Sequence, residues 1–162
     1  MKYLRLSPIE RERLWKELEE MPGFLAERFA ALTPEESTTR GPDGTFSPVE
    51  QSWHLADLER EGFGIRIERL LREDHPLLPD FDGARAASER LYNTKSLQEG
   101  IAVFREARLA NMAALRSLGA EDWLRTGTQE GVGEVSLCDL PHMMAEHDAA
   151  HKTEIQSLPR AK

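Results

Sequence analysis

The chain has 162 residues, 40% of them hydrophobic and 31% charged, with a formal net charge of −8. That length suits one domain over residues 1–162 with a continuous core, and the acidic balance argues against nucleic acid or an anionic membrane surface as partner, since both call for a basic face. No apolar run is long enough for a membrane span. The stretch Met1-Lys2-Tyr3-Leu4-Arg5 has no apolar signal core and Cys138 is the single cysteine, so the expectation is a cytoplasmic protein without an intrachain disulfide.

Ser7-Pro8-Ile9-Glu10 combines a capping serine, a first-turn proline and a capping-box glutamate, which predicts a helix start. The helix runs to about Leu32, with Leu14, Leu18, Leu25, Phe29 and Leu32 on its apolar stripe, and Pro22-Gly23 is expected to kink or split it. Thr33 to Thr45 reads as a loop. Ser47-Pro48-Val49-Glu50 repeats the start signal and opens a second helix to about Arg72, whose apolar face carries Val49, Trp53, Ala56, Phe63, Ile67 and Leu70. Asp74 to Asn93 is a long connection with one short helix near Ala84 to Leu91. Connections of this length usually cover a site or carry structure of their own. A third helix spans about Thr94 to Leu118, with Leu97, Ile101, Phe104, Leu109, Met112 and Leu115 facing the core and Gly119 as its stop. Ala120 to Val135 is a second loop. The fourth helix begins near Ser136, with Pro141 forcing an irregular start. Four amphipathic helices joined by loops predict an all-α, four-helix bundle.

His147 and His151 stand four apart on the fourth helix, on the stripe shared by Leu140, Met144, Ile155 and Leu158, so both rings face inward and converge. Buried imidazoles need partners for two nitrogens each, which hydrogen bonds or a metal ion supply. His54, early in the second helix, completes a three-histidine set if the second and fourth helices run antiparallel. Three neutral imidazoles suit zinc, nickel, copper or iron and leave coordination positions open, as catalytic sites do. Asp57 and Glu61 are candidates to orient an imidazole, although Glu61 reads more simply as solvated charge. His75 reads as a surface residue and His142 as a partly exposed partner of Glu146. Cys138 reads as packing at a helix start, and Trp15, Trp53 and Trp123 as core or loop anchors. The chain lacks the paired Glu-x-x-His motifs of di-iron bundles. His147-Asp148-x-x-His151 parallels the zincin His-Glu-x-x-His, but no downstream ligand follows, so a peptidase is disfavoured while Asp148 stays a candidate to touch metal-bound water.

Three segments together resemble the DinB/YfiT-like superfamily of small helical metalloproteins. They are Phe46-Ser47-Pro48-Val49-Glu50-Gln51-Ser52-Trp53-His54-Leu55-Ala56-Asp57, Gly133-Glu134-Val135-Ser136-Leu137 and His147-Asp148-Ala149-Ala150-His151-Lys152-Thr153-Glu154-Ile155. The resemblance implies a four-helix bundle in which His54, His147 and His151 bind one divalent transition metal (zinc, nickel, manganese or iron). It also implies a homodimer and a small-molecule substrate, and an activity related to transferases that use a low-molecular-weight thiol such as bacillithiol, mycothiol or glutathione. A metal-dependent hydrolase and a non-catalytic, stress-associated metal-binding protein are the competing expectations. Two departures touch the substrate side: Pro141 near the start of the last helix, and Lys152-Thr153-Glu154 where Leu-x-Gln is common.

Overall fold

The computed structural model describes residues 2–160. After a short α1 (Lys2–Arg5), α2 (Pro8–Arg28) opens on the Ser7/Glu10 capping box foreseen from the sequence. It runs unbroken through Pro22. Proline has no N–H to give the carbonyl four residues back, and that carbonyl, Leu18 O, instead accepts a 2.8 Å hydrogen bond from Arg108 Nη1. The expected loop after it holds a short capped helix, α3 (Pro34–Thr38), and a 3₁₀ turn over Pro42–Gly44.

The second long helix is built in three pieces. α4 (Pro48–Asp57) starts at the Ser47/Glu50 capping box, a π-helical segment occupies Leu58–Gly64, and α5 (Ile65–Arg72) completes it. A π segment is wound more loosely than its flanks, so it turns the faces of the two α-helical pieces relative to each other. In this helix it brings Glu59 into the interior while Phe63, Ile67 and Leu70 stay buried. α6 (Gly83–Glu89) lies in the long connection, α7 (Leu97–Arg116) is capped by Ser96, and α8 (Leu140–Gln156) comes after a 3₁₀ turn over Leu137–Asp139. That turn puts Pro141 in the first turn of α8, where no backbone bond is lost.

The two connections foreseen as loops pair with each other. β1 (Leu77–Leu78) lies parallel to β2 (Thr126–Gln129), with Leu77 opposite Thr128, and β2 pairs antiparallel with β3 (Gly133–Ser136). His75, an exposed residue as expected, bonds Thr126 and Thr128 Oγ1 at 3.0 and 3.1 Å and so ties this sheet to the end of the second helix. The architecture is a four-helix bundle (α2, α4 to α5, α7, α8) carrying a small sheet.

The apolar core falls into two clusters. One surrounds Trp15, Leu18, Phe63, Leu70, Met112, Leu140 and Met144; the other surrounds Met21, Leu25, Trp53, Leu55, Phe104 and Ile155. Fully burying one such side chain contributes about 1.5–3 kcal/mol. Along three of the four helices the clusters are separated by a polar step: Glu59 between Leu55 and Phe63, Arg108 between Phe104 and Met112, Asp148 between Met144 and Ile155. Arg108 is 1% exposed and Leu109, expected in the core, is 52% exposed. The expected apolar stripe of α7 is one residue out of phase at that turn. The Arg108 guanidinium forks onto Asp148 at 2.7 and 2.9 Å and bonds Glu59 at 2.9 Å, and Asn111 Nδ2 holds Glu59 through its carboxylate and its backbone carbonyl. Cys138 is fully buried, accepting from the Leu4 N–H, and the three tryptophans are core residues.

Candidate metal centre

α4 and α8 run antiparallel where they meet. Going up α4, Gln51 reaches Glu154, His54 reaches His151 and His147, and Phe63 within the π segment meets His147. This is the topology that a site built from early second-helix and late fourth-helix residues requires.

The result is a cluster of three ring nitrogens. His147 Nε2 is 3.1 Å from His151 Nε2 and 3.4 Å from His54 Nε2, and the donor atoms of all three lie within 4.8 Å of one another. Donors held at about 2.0–2.1 Å around a tetrahedral ion stand about 3.3 Å apart, so the spacing fits a single ion. Mutual hydrogen bonding fits less well, since one ring N–H can point at only one of the other two nitrogens.

The tautomer of His151 is set from behind. Its Nδ1 lies 2.7 Å from Gln51 Oε1, and the Gln51 amide nitrogen donates to Glu154 Oε2 at 2.8 Å. With its amide so oriented, Gln51 presents an acceptor. Nδ1 therefore carries the proton and Nε2 keeps its lone pair toward the cluster. His54 is held by packing. Phe46 meets it edge-on at 5.6 Å, and a Cβ on Gly83 would stand 2.5 Å from its Cε1, so only glycine lets α6 start this close to the ring. Its Nδ1 is buried without a hydrogen-bond partner.

Burial is the main cause of the low proton affinity of all three imidazoles. His54 is lowered to about 3, with His151 adding repulsion and Asp57 opposing. His147 is lowered to about 2, with His151, His54, Arg108 and Arg66 adding to burial, and His151 is lowered despite Glu154. All three are neutral at physiological pH, the form that ligates a metal.

Two expectations are corrected by the geometry. Asp148 turns away from the imidazoles into the fork with Arg108, so it does not touch the space between them. Burial pushes its carboxyl up, and Arg108 opposes that shift. Asp57 and Glu61 orient no imidazole. Asp57 accepts from Tyr92 Oη at 2.6 Å, Arg60 at 2.8 Å and Arg90 at 2.8 Å, and Glu61 pairs with Arg90, so both dock the chain after α6 onto the second helix. His142 stands outside the cluster, partly exposed and within reach of the Glu146 charge as expected, although no hydrogen bond joins the two and its Nε2 is buried and unpartnered. Gln51, Gly83 and Glu154 are the supporting residues that pattern reasoning missed. A buried glutamine one turn before a candidate ligand is the signal that was available.

Two clefts reach the imidazoles. One of about 360 Å³ is bordered by Gly44, Phe46, His54, Gly83, His151 and Glu154. The other, about 290 Å³, is bordered by His54, Phe63, Arg66, Phe81, Gln129 and His147 among others. Among the described residues no fourth histidine, cysteine or carboxylate joins the cluster.

No curated protein matches the chain by sequence. In structure it is similar to YfiT from Bacillus subtilis, with a TM-score of 0.84 and 21% identity over 93% of this chain and 86% of that one. That protein is described as "a probable metal-dependent hydrolase with an unusual four-helix bundle topology". At this identity the likeness speaks for the fold. The sequence model of the DinB superfamily matches residues 17–155, a span that includes the whole histidine cluster and the bundle walls of both clefts. The chain belongs to the DinB superfamily.

Proposed function

We propose that this protein is a metal-dependent enzyme in which His54, His147 and His151 hold one divalent transition ion, of the zinc, nickel, manganese or iron class. The observation that carries the reading is the convergence of three neutral ring nitrogens, one with its tautomer fixed through Gln51. When bound, the ion supplies Lewis acidity that turns a thiol or a water beside it into a nucleophile at neutral pH. Phe63 and Phe81 give one cleft an apolar patch beside the imidazoles. The two clefts weigh against the closed site that a purely structural ion, or a non-catalytic stress-associated protein, would use.

Within that class, transfer to a low-molecular-weight thiol of the bacillithiol, mycothiol or glutathione type fits the surroundings best. Asp148, the carboxylate next to a ligand, is engaged by Arg108 and is not free to act as a general base. A thiol, with a pKa of about 8.5 against about 15.7 for water, needs less help to ionise. The likeness to YfiT favours a second reading, hydrolysis by an activated water. A small-molecule substrate, a cytoplasmic setting and a homodimer belong to the same proposal.

The test is metal analysis of protein purified without an affinity tag, followed by reaction with 1-chloro-2,4-dinitrobenzene with and without each thiol. One ion per chain and thiol-dependent acceleration are expected, both lost in His147→Ala. Metal-dependent cleavage of p-nitrophenyl acetate by the same protein, with no thiol acceleration in the first reaction, would move the reading to hydrolysis. Protein that binds no stoichiometric metal would remove both.

A further inference from the structure

The cleft on the His147 side contains two buried polar groups left without a hydrogen bond by the fold. Arg66, on α5 just past the π segment, is 5% exposed, and its Nε is buried without a hydrogen bond. Its guanidinium forms no hydrogen bond or ion pair among the described residues; its ring contact is with Phe63, 5.4 Å from the centroid. Gln129, from β2, is 4% exposed and its Oε1 is likewise buried and unpartnered. Both border the same 290 Å³ space as His147 and His54. Arg108 is the contrast, because that equally buried guanidinium has two carboxylates and a carbonyl. The charge of the exposed Asp80 acts on Arg66 only from beyond ion-pair reach; a buried cation so weakly neutralised burdens the fold, and the geometry of guanidinium favours a planar two-oxygen partner.

We propose that Arg66, with Gln129, is a carboxylate subsite: the substrate of the histidine centre is a small molecule whose carboxylate meets Arg66 while its reacting group lies at the imidazoles. The placement of the reacting group rests on the metal reading above; the subsite itself uses residues outside the cluster. Asp80 and Glu146, both exposed, also border this cleft. Their charge disfavours a phosphate dianion and tolerates a singly charged carboxylate, more so where an ammonium group accompanies it.

The carboxylate can belong to the thiol or to the other substrate, and two matched pairs of probes separate these sources. One is N-acetyl-L-cysteine against N-acetylcysteamine, the same thiol without the carboxylate. The other is 3-phenylpropanoate against 3-phenylpropanol. Calorimetric titration of the metal-loaded protein is expected to show at least a tenfold preference for the acid in one pair. A preference in the thiol pair assigns the carboxylate to the thiol; a preference in the second pair alone assigns it to the other substrate. The preference should vanish in Arg66→Gln and return in part in Arg66→Lys. Absence of preference in both pairs, or a preference that survives Arg66→Gln, overturns the proposal. Metal content measured on the same samples judges the metal reading separately, and protein found metal-free still reports whether the preference tracks Arg66. Arg66→Met should melt at or above the wild-type temperature, since the relief of a buried charge outweighs the distant attraction of Asp80 and the contact with Phe63; a marked fall would make Arg66 structural and also overturn the proposal.

Discussion

At Gln51 the amide is held in one sense, because its nitrogen donates to Glu154 and leaves its oxygen for His151 Nδ1. Partners of this kind commonly account for about 10–100-fold of metal affinity. Gln51→Leu is therefore expected to weaken metal binding by that factor, read by competition with a chromophoric chelator, while His75→Ala and His142→Ala leave it unchanged. Equal losses in the two control variants would mean that other ligands hold the ion. Glu154 stands where Gln is common, and it takes part by orienting Gln51. That role was invisible in sequence because its partner is 103 positions away. The three histidines were legible for the opposite reason: two share a helical period, and the third comes soon after a cap-and-proline start. Asp57 carries a second prediction. Burial raises its carboxyl, but the hydrogen bonds from Tyr92, Arg60 and Arg90 outweigh that and hold it below the usual range. With the folded value below the unfolded one, the unfolded chain takes up more protons in acid. The stabilisation is complete above the ordinary aspartate value and is lost as pH falls through the folded one, at up to about 1.4 kcal/mol per pH unit. Asp57→Asn should flatten the acid limb of the stability curve, measured by urea midpoints from neutral to strongly acidic pH. An unchanged limb would count against this assignment.

Elements show where sequence patterning succeeds and where it fails. The capping boxes at Ser7 and Ser47 placed two helix starts correctly, because serine, proline and glutamate satisfy free N–H groups locally. The π segment could not be read, since its cause is tertiary: Glu59 is drawn inward to Arg108 and Asn111. The same network explains the misassigned Leu109. The stripe Ile101, Phe104, Met112, Leu115 has its empty turn filled by Arg108, a position that the helical period marks as interior and that a charged residue disguises. Removing that charge leaves two buried carboxylates facing each other. Arg108→Met is expected to cost about 3–5 kcal/mol in urea unfolding, and a loss under about 1 kcal/mol would show that the carboxylates find other partners.

For the molecule as a whole, the small sheet is the feature least accessible from sequence, since a two-residue and a four-residue strand leave almost no periodic trace. Its parallel pairing joins connections about fifty positions apart and so fixes the wall that carries Gln129 beside Arg66. Among the described residues no helix is long and apolar enough to cross a membrane. The proposed homodimer predicts a two-chain mass by light scattering at micromolar concentration, and a one-chain mass alone would reject it. The guanidinium at the centre has a further consequence. From α7 it reaches a carbonyl of α2, a carboxylate of the second helix and a carboxylate of α8, so one side chain touches all four rods of the bundle. Greasy surfaces slide over one another at small cost, whereas this contact works like a key in a lock. Slipping α7 by a single turn, about 5.4 Å, would strand three charges and an orphaned carbonyl in oil. The proline that frees the carbonyl thus helps to specify how far along each rod its neighbours sit, and with it the alignment that brings His54 to His147 and His151.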